Sequence, residues 1–146
     1  MFSIDDIREE ASVKRTKYLT ENTQKRKLDI LRKDSDTIRD AALAHIRGNI
    51  VNHLSKSSNP HDCHTFLIWN IQHKLQGLEL QGPMKVTTFF TGFWDSNTRK
   101  HRTELWQEAG IGLMIEELNK AMFPIHLEDI SDSGKSFNQV FRCTVP

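Results

Sequence analysis

The sequence predicts an α+β protein: a long N-terminal helical arm, residues 1–56, followed by a small α-β-α-β-β domain, residues 57–146, whose three-stranded mixed sheet is covered by two helices. Three observations carry this expectation. No proline or glycine occurs before Gly48, Ser55–Pro60 (SKSSNP) is the clearest linker in the chain, and the residues beyond it switch between helical and strand-like apolar periods.

The arm opens on an amphipathic start. Phe2, Ile4, Ile7 and Ala11 share one helical face, and Asp5, Asp6, Glu9 and Glu10 lie near the N-terminus, where negative charge opposes the positive pole of the helix dipole. Ser3 followed by Asp6 suits a helix cap. A basic segment comes next: Lys14, Arg15, Lys17, Lys25, Arg26, Lys27, Arg32 and Lys33 are countered only by Glu21 and Asp29 up to Lys33. Such a run reads first as a solvated face, and second as an arm that lies along phosphates or an acidic protein surface. From there a stripe at three- and four-residue steps, Leu28, Leu31, Ile38, Ala42, Ile46, Ile50 and Leu54, forms the candidate interaction face. The stripe cannot bury itself. It needs the C-terminal domain or a second copy of the chain, and Asp at Ile38 and Ile46 is expected to weaken that association while leaving the C-terminal domain folded.

Beyond the linker, Asn59–Pro60 suits a helix start, and Cys63, Phe66, Leu67, Ile71, Leu75 and Leu78 form a helical apolar face with Trp69 at its margin. Lys85–Trp94 (KVTTFFTGFW) is dense in β-branched and aromatic residues and predicts a strand. Ser96–Phe123 predicts the central helix, started by Asp95, Ser96 or Asn97 and ended by Pro124, with Gly110 and Gly112 marking close approach to a neighbouring element. Ile125–Ile130 and Phe137–Val145 alternate as strands around the turn residues Asp132, Ser133 and Gly134, which makes a hairpin. A right-handed crossover between the first two strands would make them parallel.

Composition narrows the function classes. The formal net charge is +1, so a nucleic-acid role has to be local to the basic segment rather than a property of the whole chain. Two cysteines far apart in sequence suit a reducing, intracellular setting, and no apolar run approaches the length of a membrane span. The histidines raise a zinc reading, since His61, Cys63 and His64 cluster at a helix start with His73 and His53 nearby; no paired-cysteine or HExxH spacing supports it. Cys63 beside His64 raises a thiol-nucleophile reading, opposed by its place on an apolar face. Gly134-Lys135-Ser136 imitates the end of a phosphate-binding loop, but Ile130 stands where the earlier glycine is required and a strand follows. The acidic residues Glu128, Asp129 and Asp132 lack the spacing of a calcium loop. No catalytic, cofactor or metal site is assigned. The expectation is a non-enzymatic interaction or assembly protein, a small component of a larger complex such as a viral particle by analogy, which self-associates or docks through its arm. The alternatives are a nucleic-acid-binding accessory protein using residues 14–33 and a small metal-dependent or thiol enzyme.

Overall fold

A computed structural model describes residues 3–98, 100–102, 114–130 and 139–146, with 93–95 and 100–102 described in backbone only. Helix α1 runs without interruption from Ile4 to Ser55, 52 residues, which is about 78 Å at 1.5 Å per residue. Ser3 occupies the N-cap in extended geometry, and its carbonyl accepts from Ile7 N at 3.2 Å, although its side chain makes no cap bond. Asp5 and Asp6 lie in the first turn. At the other end the Lys56 and Ser57 amides turn back onto the last carbonyls, and Ser57 Oγ donates to Leu54 O at 2.7 Å.

After the linker the chain departs from the expected order. The segment expected as one helix from Pro60 is strand β1, His64–Trp69, followed by the single turn α2, Ile71–Lys74. A helix would have put Phe66 and Leu67 on one face. The strand separates them, so Phe66 and Ile68 turn inward while Thr65, Leu67 and Trp69 are exposed. Asn70 makes the break, in left-handed geometry at φ 53°.

The segment expected as the first strand is a helix. α3 spans Val86–Thr91 and buries Val86, Phe89 and Phe90, a three- and four-residue spacing that packing favours over the β preference of the individual residues. Gly92, at φ 74°, ends it. β2, Phe93–Asp95, then pairs antiparallel with β3, Lys100–Arg102, across the turn at Ser96–Thr98. The expected helix from Ser96 is therefore a hairpin at its start. Its last part is helix α4, Met114–Met122, and the stretch with Gly110 and Gly112 lies outside the described residues.

β4, His126–Asp129, and β5, Val140–Val145, pair antiparallel, and residues 131–138, on which the expected turn falls, lie outside the described residues. The main sheet has the order β1-β5-β4 and is antiparallel throughout, which corrects the mixed sheet. The parallel pair required a strand where α3 now stands, and one of the two helices expected to cover the sheet is itself β1. Ile38, Ala42, Ile46 and Ile50 from α1 join Ile68, Ile71, Leu75, Val86, Phe89, Phe90, Met114, Leu118, Leu127, Phe141 and Cys143 in one buried cluster. α1 and the residues after the linker share that core.

Candidate interaction surfaces

The two ends of α1 present different surfaces. From Ile4 to Lys27 every residue is exposed except Asn22, which is half-buried. Large apolar side chains stand in water there, with Ile4 and Tyr18 each 66% exposed, Val13 65% and Ile7 51%. At 3.6 residues per turn, Ile4, Ile7, Ala11 and Tyr18 lie on average about a third of a turn from the face that carries Leu31, Ile38, Ala42, Ile46 and Ile50. Val13 lies on the same azimuth as Leu31, and the stripe precesses until Ile50 lies within about 20° of Ile7, so what separates the two ends is burial rather than azimuth. All eight cations of the basic segment, Lys14, Arg15, Lys17, Lys25, Arg26, Lys27, Arg32 and Lys33, are exposed. The ion pair from Lys14 to Glu10, at 3.7 Å, is itself solvent-exposed and adds little.

Of the candidate stripe, Ile38, Ala42 and Ile46 have no solvent exposure and Ile50 has 8%, while Leu28, Leu31 and Leu54 are half-buried. Residues after the linker cover this face. Aspartate at Ile38 and Ile46 would therefore place carboxylates inside the common core, and an intact C-terminal domain is not the outcome expected of it.

Two polar clamps that the residue pattern did not single out fix the body around α1 and the sheet. Asp34, 2% exposed, accepts from the Gln81 and Gly82 amides, each at 2.8 Å, and so ties a loop nearly fifty residues away to the helix. A side chain at Gly82 would stand 3.0 Å from Ile30 Cγ2 and 3.1 Å from Asp34 Oδ2, so glycine is what lets the backbone approach. On α4, the Asn119 amide accepts from Leu127 N at 2.7 Å and donates to Leu127 O at 3.0 Å. Its amide thereby takes the place of a neighbouring peptide unit along β4. The only trace of either clamp in the sequence is a polar residue interrupting an apolar stripe.

The sheet's outer face carries Thr65, Leu67 and Trp69 of β1, Arg142 and Thr144 of β5, and His126 and Glu128 of β4, all exposed. Arg142 Nη1 bonds Glu128 Oε2 at 3.3 Å, leaving Leu67 and Trp69, 44% and 56% exposed, as the apolar part. Phe89 and Phe90 are buried on α3 and add nothing to this face.

His53 stacks on Phe66 with ring centroids 4.2 Å apart and meets His64 edge-on at 5.4 Å, while His64 Nε2 bonds Asn59 O at 2.8 Å. Among the described residues no group of three or more His, Cys, Asp or Glu could hold a metal ion. Cys63 is exposed just before β1, not buried on a helix face as expected. Cys143 is buried in the core, and that burial pushes its thiol up to about 11. His45 is held below the usual histidine range, first by burial and then by the Lys74 charge. Its Nε2 lies 3.1 Å from Asn49 Nδ2, a contact that suits a neutral ring accepting there. Because the folded value is depressed, the fold loses stability as pH falls through 6.5. The imitated phosphate loop at Gly134 lies outside the described residues.

No helix among the described residues is long and apolar enough to cross a membrane. No family model, curated protein or solved structure matches the chain.

Proposed function

We propose that the protein is a non-enzymatic interaction or assembly component that engages a protein partner through the N-terminal part of α1. One observation carries this reading: a continuous helix holds its first six turns clear of the body and keeps Ile4, Ile7, Val13 and Tyr18 in water. This part of the helix gains nothing from packing on the body, and contiguous exposed apolar surface marks contact sites. The stripe from Ile38 to Ile50 anchors the arm to the body, and the contact surface is the part beyond it.

Proteins that co-purify with the full chain from its native source, compared with those retained by the Ile4→Ser, Ile7→Ser, Tyr18→Ser variant, test the reading. A partner lost with these three side chains supports it, and an unchanged set rejects it. A second reading rests on the exposure of all eight cations between Lys14 and Lys33. Binding of a mixed-sequence RNA duplex that weakens with salt and with Lys25→Glu, Arg26→Glu, Lys27→Glu would favour a nucleic-acid partner instead.

A further inference from the structure

The two edges of the main sheet are finished differently. In an antiparallel pair, alternate residues bond their neighbour strand and the residues between turn their backbone groups outward. Asn70 N donates to Gln139 O at 2.8 Å, one step beyond the Trp69↔Val140 pair, so the bonded pairs of β1 and β5 share its parity: Ile68↔Phe141, Phe66↔Cys143 and His64↔Val145. Thr65, Leu67 and Trp69 therefore direct both N–H and C=O away from the sheet. At the other edge Ile130 N donates to Val140 O at 3.1 Å, and the same alternation makes Leu127 an outward residue of β4. Leu127 is where Asn119 supplies both an acceptor and a donor.

β4 thus has the protections by which edge strands avoid unwanted pairing: it is four residues long, carries Glu128 and Asp129, and has its outward groups at Leu127 occupied. β1 has none of them. It is six residues long, HTFLIW, without proline, lysine or any carboxylate. Among the described residues nothing bonds the outward groups of Thr65, Leu67 and Trp69. The side chains of these three residues are also exposed and uncharged on the sheet's outer face.

We propose that β1 is a strand-addition edge and that its occupant is β1 of a second copy, paired antiparallel about a two-fold axis through Leu67. The register follows from the geometry. With Leu67 opposite Leu67 of the second copy, Thr65 faces the second copy's Trp69 and Trp69 faces its Thr65, so every outward residue meets an outward residue in a bonded pair. One-residue slips would set outward groups against inward ones, and two-residue slips would leave one of the three outward residues without an outward partner. This register also gathers both Leu67 and both Trp69 side chains on one face of a continuous six-stranded sheet, and the paired segments from Thr65 to Trp69 carry no charge to repel one another. The arm takes no part in this contact, so it stands or falls apart from the proposed partner of α1.

The full chain is tested by sedimentation velocity over a concentration series, with amide hydrogen exchange read residue by residue. The expected result is a dimer in which Thr65, Leu67 and Trp69 amides are protected and lose that protection on dilution, while Phe66 and Ile68 stay protected. Leu67→Lys leaves the exposed face folded and weakens the dimer by roughly tenfold or more, because it sets like charges directly opposite. Cys63→Ser with Leu67→Cys gives a covalent dimer on mild oxidation, and Ile4→Ser, Ile7→Ser, Tyr18→Ser leaves the dimer intact. A chain that stays monomeric, a dimer in which Thr65, Leu67 and Trp69 amides exchange freely, or one indifferent to Leu67→Lys overturns the proposal. A monomer that binds an extended apolar peptide along β1 also overturns it in favour of a different occupant.

Discussion

From Ile4 to Lys27 helix α1 touches almost nothing, whereas from Ile30 to Ile50 it supplies one wall of the core. The backbone is the same in both halves. What differs is what lies against it: the body covers the second half, while Ile4, Ile7, Val13, Tyr18 and Leu19 of the first half stay exposed. Tertiary packing holds the second half, and the first half extends from it by propagation, with Thr16, Thr20 and Thr23 each bonding the carbonyl four residues earlier. A helix that continues past its own body has to be read in segments, since burial changes along its 52 residues.

The contrast between the halves is tested most severely at Ile46. Ile46→Ala should destabilise the fold by about 2–5 kcal/mol, read as a lower urea midpoint, because the side chain is fully enclosed between α1 and the residues after the linker. If the cost were below about 1 kcal/mol, the second half of α1 would be no more anchored than the first. Asp34→Ala comes next, at about 1–3 kcal/mol, since it leaves the Gln81 and Gly82 amides without their acceptor where the loop meets the helix. Val13→Ser with Leu19→Ser should move the midpoint least, within about 0.5 kcal/mol, because neither side chain is covered. A large loss there would mean that the first half is packed on something in solution.

The long helix was legible because its signals are local: good helix formers, no proline, no glycine before Gly48, and a linker after Leu54. The β4–β5 pair was legible for the same reason, through alternation on either side of turn residues. The region between them was not. Phe66 and Leu67 fit a helical face and a strand equally well by period, and only pairing with Cys143 and Arg142 decides between them. Val86–Thr91 has a strand's composition and a helix's burial, a contest that neighbours settle. The core stripe was recognisable as an apolar face but not as one already occupied, because the side chains that cover it, Ile71, Phe89 and Leu118 among the cluster, belong to distant parts of the chain. Asp34 and Asn119 look like blemishes in their helices, and their roles reside in backbone groups elsewhere in the chain.

The Asn119 amide has a consequence for how large an assembly built on this sheet can grow. In polymer terms, a subunit with two reactive edges is bifunctional and propagates into fibres, whereas one whose second edge is end-capped is monofunctional. Asn119 acts as a chain stopper built into the monomer. With β4 terminated at Leu127, the proposed addition at β1 would leave the main sheet no second open edge, and its growth would stop at a pair rather than a fibre.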